Sequence, residues 1–96
     1  MMTAREARVI TMDNINRYAK EFIINTVEDE IRGAADEGLF VTQIDVKTIR
    51  GGEVTAKEVV RLLKESGYQA EHICNEYDGH FENYIYVDWE DSIDDI

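Results

Sequence analysis

YQAEHICNEYDGHFENYIYVDW, residues 68–89, is the stretch from which the fold is predicted. Asp78-Gly79 separates two β-rich runs, and this pair favours a two-residue type I′ turn because both residues accept positive φ. The stretch is therefore predicted to be a β-hairpin whose turn fixes the register. That register pairs Tyr77 with His80, Ile73 with Tyr84, His72 with Ile85, Ala70 with Val87 and Tyr68 with Trp89.

Side chains alternate between the two faces of such a hairpin. One face is predicted to carry Tyr68, Ala70, His72, Cys74, Ile85, Val87 and Trp89. The other carries Ile73, Tyr77, Tyr84 and Tyr86. Because both faces hold apolar or aromatic residues, each is expected to contact something.

Two amphipathic helices are predicted before the hairpin. Thr3-Ala4-Arg5-Glu6 is a capping box that predicts a short helical turn in an N-terminal arm of residues 1–12. Val9, Ile10 and Met12 of this arm are expected to pack onto the body. Apolar residues spaced by three and four then predict a helix that Asp13 or Asn14 caps and that runs to Glu37, with Gly38 as its end.

A strand and a second helix follow. Residues 39–49 alternate, which predicts a strand with Phe40, Thr42, Ile44 and Val46 on one face and Val41 on the other. Thr55-Ala56-Lys57-Glu58 is a second capping box and predicts a helix that ends at Gly67. The core face of this helix is predicted to be Ala56, Val59, Val60 and Leu63, with Leu62 beside it.

The order helix, strand, helix, strand, strand predicts one α+β domain over residues 1–96. We expect a two-layer sandwich, in which a three-stranded antiparallel sheet of order 1-3-2 has two helices on one face. Ile85, Val87 and Trp89 should face the helices, which leaves Tyr84 and Tyr86 on the uncovered face. An exposed apolar and aromatic patch predicts an interface, of which homodimerisation is the commonest form.

The net charge of −11 is unevenly distributed along the sequence. Residues 1–67 hold all ten Lys and Arg with twelve acids, whereas residues 68–96 hold nine acids and no Lys or Arg. Direct binding to nucleic acid is not expected, because it requires clustered cations. A protein partner with a basic surface fits this distribution. Residues 90–96 are acidic and are predicted to be frayed.

Neither a catalytic nor a metal site is predicted. Serine occurs only at Ser66 and Ser92, and no paired cysteine or His-Glu-x-x-His spacing supports zinc. The register places His72 and His80 on opposite faces, so they cannot share an ion. His72 is interpreted as a histidine at the core edge, His80 as a turn residue and Cys74 as a small core residue. We expect a protein that is not an enzyme and that needs no cofactor.

A weak anion site is the alternative for the loop before the second helix. Arg50, Gly51 and Gly52 precede the predicted helix start at Thr55, where free amides could hold a phosphate. Lys47 and Lys57 lie nearby in the sequence. The other interpretation is a flexible connection between strand and helix.

Four segments resemble a known group of proteins. They are Thr3-Ala4-Arg5-Glu6-Ala7-Arg8, Ile31 with Ala34-Ala35 and Gly38, Leu62-Leu63 with Gly67-Tyr68, and Tyr86-Val87-Asp88-Trp89. The chain resembles small uncharacterised proteins of tailed bacteriophages. The resemblance implies a phage-derived protein that acts in the host cytoplasm, and it implies no catalytic residues.

The expected function is binding to a host or phage protein, which the chain would block. The predicted contact residues are Ile73, Tyr77, Tyr84, Tyr86, Glu71, Glu82, Asp88, Glu90 and Asp91, whose acids could imitate nucleic-acid phosphates. One alternative is a module that sequesters a nucleotide signal, and another is a structural virion component. The lone Cys74 suits a reducing cytoplasm, and no apolar run approaches the roughly 20 residues that span a bilayer.

Overall fold

The computed structural model of this chain describes residues 1–91. Its elements in chain order are α1 (Ala4–Phe22), a π-helical turn (Ile23–Val27), α2 (Glu28–Asp36), β1 (Val41–Asp45), α3 (Glu53–Glu65), β2 (Gln69–Tyr77) and β3 (His80–Asp88). The predicted acidic end falls largely on residues 92–96, which lie outside the described residues.

The three strands form the predicted antiparallel sheet with the order β1-β3-β2. The hairpin has the predicted register, in which Tyr77 pairs with His80 and Ile73 pairs with Tyr84. Asp78 and Gly79 have φ values of 48° and 77°, the left-handed pair that a type I′ turn requires. The predictions of α+β class, strand order and hairpin register are confirmed.

The helices cover one face of the sheet, which we call the inner face. Its residues Ile44, Ile85 and Val87 are almost fully buried and belong to the same cluster as Val27 of the helices and Val59 of α3. Trp89 and Tyr68 close one end of this core, and their rings meet edge to face with centroids 6.2 Å apart. Within residues 1–91, the opposite face, the outer face, has no helix against it.

The helical segment formed by α1, the π-helical turn and α2 begins earlier than predicted, at Ala4. Thr3 caps it as expected, since Thr3 Oγ1 accepts a hydrogen bond from the Glu6 amide at 3.1 Å. The helix then continues through Asp13 and Asn14, so no second cap occurs there. Its end is the predicted one, because Gly38 has a φ of 82° and the Leu39 amide donates to the Ala34 carbonyl at 3.0 Å.

The N-terminal part of α1 does not pack onto the body. All residues from 1 to 13 are exposed, and Val9, Ile10 and Met12 keep 54%, 49% and 45% of their surface open. The prediction that these three side chains pack onto the body is therefore wrong. We call residues 4–13 the arm, because every residue in this part of the helix is exposed.

A π-helical turn joins α1 to α2. The Glu28 amide donates to the carbonyl of Ile23, five residues earlier, and this adds one residue to that turn. The buried or half-buried residues on either side of the turn repeat at intervals of four: Ile15, Ala19, Ile23, Val27 and Ile31. An α-helix turns once every 3.6 residues, so this spacing would drift away from the core, and the wider turn corrects the drift.

Helix α3 begins earlier than the sequence indicated. Gly52 is its N-cap, and Thr55 lies inside the helix as a fully buried residue whose hydroxyl has no hydrogen-bond partner. The predicted capping box at Thr55 is therefore wrong. Gly67 ends the helix as predicted, with a φ of 95° and with the Tyr68 amide donating to the Leu63 carbonyl.

Two further predictions fail at the ends of strands. Phe40 precedes β1 and is 53% exposed, so it is not part of the core that Ile44 belongs to. Cys74 is also exposed, because its part of the hairpin extends beyond the helices. Alternation correctly placed Cys74 on the same face as Ile85, but the helices do not reach it.

A polar cluster holds α1 against α3. Glu58 accepts hydrogen bonds from the Asn16 amide at 2.7 Å and from the Arg61 guanidinium at 2.7 Å. The Arg61 hydrogen bond lowers the pKa of Glu58 from its usual 4.5 to about 2, with smaller contributions from Asn16 and Lys20, and partial burial opposes this shift. Glu58 therefore connects the two helices as a carboxylate.

The low pKa of Glu58 predicts how acid affects stability. A carboxyl that binds protons less readily in the folded state stabilises the protein above its unfolded pKa, and this contribution is lost as the pH falls from 4.5 to about 2. We expect Glu58→Gln to cost about 1–2 kcal/mol at neutral pH. The variant should also lose stability less steeply over that acid range. Urea unfolding at a series of pH values measures both effects.

Glu65→Gln is the matched control for Glu58→Gln. Glu65 lies on the same helix and also pairs with Arg61, at 2.8 Å, but its side chain is 61% exposed. We expect it to contribute less than about 0.5 kcal/mol, as exposed pairs do. Equal effects from the two substitutions would contradict the role assigned to Glu58.

Candidate functional site

The outer face of the sheet forms a row of aromatic and acidic residues. Strand pairing places Tyr84 between Asp45 and Ile73, and Tyr86 between Gln43 and Glu71. The next pairing along the strands places Asp88 between Val41 and Gln69. Directly opposed residues share a face of a sheet, so these nine side chains form one surface.

The tyrosines of this face are only partly covered. Tyr84, Tyr86 and Ile73 are half-buried by their neighbours in the sheet, and Tyr77 near the turn is 53% exposed. Each ring therefore presents surface that a partner could bury. Aromatic residues on a rigid sheet are suitable anchors, because they provide a large contact area for little loss of conformational freedom.

Two phenols of the outer face are held by carboxylates. Tyr77 donates to Glu82 with 3.0 Å between oxygens, and this hydrogen bond raises the pKa of Tyr77. Tyr86 donates to Asp88 at 3.1 Å, and its pKa is raised by burial first and by this hydrogen bond second. Both shifts favour the neutral phenol, and both hydrogen bonds fix the ring orientations.

Negative charge surrounds the aromatic row. Glu71, Glu82 and Asp88 come from the hairpin and Asp45 from β1, while the hairpin sequence contains no Lys or Arg. Lys47 is a cation beside this row. It lines a depression of about 270 Å³ at the end of β1, together with Asp45, Glu82 and Tyr84.

The structure brings the predicted contact residues together on one face. Ile73, Tyr77, Tyr84, Tyr86, Glu71, Glu82 and Asp88 all share the outer face by strand register. Glu90 and Asp91 follow β3 at the end of the sheet and are exposed, and Asp88 accepts a hydrogen bond from the Glu90 amide at 2.8 Å. The seven strand residues thus form a continuous strip, and Glu90 and Asp91 follow it in the chain.

Sequence reasoning missed Gln43 and Asp45 as members of this surface. They lie opposite Tyr86 and Tyr84 because β1 pairs with β3 in one particular register. Alternation along β1 puts both residues on the same face as Val41. No tight turn joins β1 to β3, however, so no signal in the sequence specified which residues would be opposite each other.

The residues of the predicted anion site do not form a common pocket. Arg50 lies over the ring of Tyr18, with its guanidinium carbon 4.7 Å from the ring centroid. Thr55 is buried, so its hydroxyl cannot reach a ligand in solvent. Gly51 and Gly52 are exposed in the loop before α3. The free backbone amides at the start of α3 include those of Glu53 and Val54. The amides that follow Thr55, which the prediction used, lie inside the helix.

The two histidines lie on opposite faces of the hairpin, as its register predicts. His72 is half-buried, with its Nε2 atom 2.6 Å from the Asn83 side-chain oxygen. His80 is exposed beside the ring of Tyr77. Within residues 1–91, no group of three His, Cys, Asp or Glu side chains is arranged to hold a metal ion.

An apolar groove of about 510 Å³ lies on the helical side of the molecule. It runs between the π-helical turn and α3 and is lined by Ile23, Ile24, Val27, Ile31 and Leu62, with Lys20 and Glu65 at its rim. The sequence reasoning did not identify it, because the groove depends on how the two helices cross.

Two further observations concern membrane-spanning helices and related proteins. Among residues 1–91, no helix has the length and apolar character needed to cross a bilayer. In searches of protein-family models, curated proteins and solved structures, nothing matches this chain. The inference of function therefore rests on the surfaces described above.

Proposed function

We propose that this chain is a non-catalytic binding protein that engages a basic surface of another protein through its outer face. The observation that supports the proposal is the strip of tyrosines, bordered by carboxylates, on a sheet face that no helix covers. Monomeric proteins rarely leave such an aromatic patch open without a binding role. The resemblance to tailed-phage proteins suggests a host or phage protein as the partner, in the host cytoplasm.

The chemistry of the strip favours a basic partner. Tyr84 and Tyr86 supply anchoring area at the centre, where buried contacts contribute most to affinity. Glu71, Glu82 and Asp88 supply a negative field that accelerates encounter with a positive surface. A partner whose groove normally holds nucleic-acid phosphates meets both requirements, so the chain would block that groove by imitation.

Affinity capture tests this proposal. The immobilised chain is incubated with host lysate at about 50 mM salt, and bound proteins are identified by mass spectrometry. We expect a basic protein that about 0.5 M salt releases, since attraction between exposed charges is screened by salt. An excess of a DNA oligonucleotide should compete with the chain if the partner's groove binds phosphates.

Substitutions on the outer face locate the contact. We expect Tyr86→Ala to weaken binding of the captured partner at least 10-fold and Tyr86→Phe to weaken it less, because the ring provides the area. Glu71→Lys, directly opposite Tyr86, should weaken binding and reduce its salt dependence. Titration calorimetry with the purified partner measures these changes.

Two exposed positions away from the strip serve as matched controls. Phe40→Ala removes an exposed aromatic ring outside the outer face, and Glu21→Lys reverses an exposed charge on α1. Neither should change affinity by more than about twofold. If the controls weaken binding as much as Tyr86→Ala does, or if salt leaves the complex intact, the outer face is not the contact surface.

A further inference from the structure

Two parts of the molecule project beyond its core. One is the arm, residues 4–13. The other is the end of the hairpin, residues 74–81, which we call the hairpin end. The radius of gyration is 15.2 Å, whereas a compact chain of this length has one of about 12–13 Å. The principal extents of 54 × 43 × 20 Å likewise describe a flat, open molecule.

The arm and the hairpin end both extend from the same end of the molecule. Strand β1 stops at Asp45 opposite Tyr84, and the hairpin continues past that point to its turn. Helix α3 starts at this end and runs to the other, where Gln69 pairs with Asp88. Asn16 of α1 binds Glu58 in the first half of α3, and further along both helical segments Ile24 and Leu62 line one groove, so the two run in the same direction. The arm that precedes Asn16 therefore extends past the same end as the hairpin.

The arm carries a face of defined chemistry. Arg5, Arg8, Val9 and Met12 follow the spacing i, i+3, i+4, i+7, which puts them on one side of a helix. The acids of the arm, Glu6 and Asp13, lie beyond Val9 at one edge of this face, and Arg8 lies at the opposite edge. Within residues 1–91 neither arginine forms an ion pair. The arm face is thus basic and apolar, and all four of its residues are exposed.

The hairpin end has the opposite character on its inner face. Glu76 pairs with Phe81 across the strands, so both side chains lie on the inner face, in the part of the hairpin that the helices do not cover. Phe81 is 50% exposed, and Cys74 on the same face is exposed as well. Asp78 adds a further carboxylate at the turn. This surface combines an aromatic ring and a thiol with negative charge.

We infer that the arm face of one copy binds the inner face of the hairpin end of a second copy, and that a two-fold axis makes the exchange reciprocal. Val9 and Met12 would cover Phe81, a favourable arrangement for a thioether beside an aromatic ring. Arg5 and Arg8 would face Glu76 and Asp78. One chain carries both complementary surfaces at the same end. A two-fold dimer would therefore contain two equivalent contacts, each between the arm of one copy and the hairpin end of the other.

The position of the arm at the end of α1 also favours this occupant. The arm continues α1 and needs no separate nucleus, but helix ends fray, and packing against another surface would stabilise it. The contact uses residues different from those of the outer face, so it does not depend on the proposed function. It would leave two copies of the outer face accessible in each dimer, which allows bivalent binding.

Sedimentation equilibrium of the full chain tests the inference. At about 0.15 M salt the Debye length is about 8 Å, so repulsion between two copies of charge −11 is largely screened. We expect wild-type protein at tens of micromolar to have twice the monomer mass of 11.1 kDa. A monomer mass at all concentrations up to about 0.5 mM would overturn the inference.

A charge exchange identifies the paired surfaces. Arg8→Glu and Glu76→Arg should each raise the dissociation constant of the dimer at least 10-fold. The first variant would put a glutamate opposite Glu76 and the second an arginine opposite Arg8, at both of the symmetry-related contacts. An equimolar mixture of the two variants should dimerise again, since both pairs then have opposite charges. Failure of the mixture to dimerise would overturn the assigned pairing.

Matched controls and a second probe exclude a general effect of charge or misfolding. Arg32→Glu reverses an exposed charge on α2 and should leave the dimer intact. Circular dichroism verifies that every variant is folded. Alkylation of Cys74, the only cysteine, should slow as protein concentration rises in the wild type and should not slow in Arg8→Glu. An alkylation rate independent of concentration in the wild type would contradict burial of the hairpin end.

Discussion

Replacement of Ile85 by alanine is expected to lower the free energy of unfolding by about 2–5 kcal/mol. Ile85 has no exposed surface and lies at the centre of β3, with Ile44 on one side and His72 on the other. Alanine would leave a cavity beneath the helices that the surrounding strands cannot fill. Domains of this size have total stabilities of about 5–15 kcal/mol, so a large part of the population could unfold on warming. Urea denaturation measures the change.

Ile24→Ala is the control for Ile85→Ala. It removes the same atoms from a side chain that is 64% exposed, and exposed positions of this kind change stability by about 0.5 kcal/mol or less. The contrast tests whether the helices cover the inner face of the sheet. If Ile85→Ala cost less than about 1 kcal/mol, the helices would not be packed on that face.

Gly51→Ala is expected to be the second most disruptive change, with a cost of about 2–4 kcal/mol. Gly51 has a φ of 89°, a conformation that costs a residue with a side chain about 1–2 kcal/mol. A methyl group there would also lie 2.1 Å from Thr55 Oγ1, which belongs to a fully buried side chain. Relieving that overlap would displace the start of α3, and overpacking of this kind costs about 1–3 kcal/mol.

Gly33→Ala provides a control of opposite sign for Gly51→Ala. Gly33 lies within α2, and nothing would contact an added methyl group within 4 Å. Alanine in place of glycine stabilises a helix by about 0.5–1 kcal/mol. Thermal and urea unfolding should therefore rank Gly33→Ala above the wild type and Gly51→Ala below it. Equal destabilisation by both substitutions would contradict the contact between Gly51 and Thr55.

The sequence predicted best those features that adjacent residues determine. The Asp78-Gly79 turn specified the register of the hairpin, because a two-residue turn leaves no freedom in the pairing. The 1-3-2 order followed from the need for the strand after the crossover helix to run parallel to the first. Gly38 and Gly67 marked helix ends because both take the left-handed conformation there.

The errors have a different physical origin. Thr55 fits the capping pattern, but Gly52, with its positive φ, is the N-cap, so α3 begins three residues earlier than predicted. Val9, Ile10 and Met12 are apolar and were expected to pack, although a side chain can pack only where another element reaches it. Cys74 was placed in the core for the same reason. Composition gives the preference of a side chain for burial, but it does not show how far a helix or strand extends past its neighbours.

The outer face was predicted more completely than any other site, because its members follow from alternation in one hairpin. The relation of β1 to that face was only partly predictable, since the register between β1 and β3 depends on the crossover rather than on a local turn. The sequence did not indicate that the hairpin end and the arm extend from the same end of the molecule. This arrangement depends on α1 and α3 running side by side in the same direction, which no short motif encodes.

The π-helical turn at Ile23–Val27 also bears on how related sequences should be aligned with this one. A π-helical turn is equivalent to one extra residue inserted into an α-helix, and here α1 and α2 both direct their packed sides to the core. A homologue that lacked one residue at this turn could form a continuous α-helix with both packed sides unchanged. A single gap at that position would therefore be compatible with the same fold, whereas a gap within α1 or α2 would rotate one packed side away from the core.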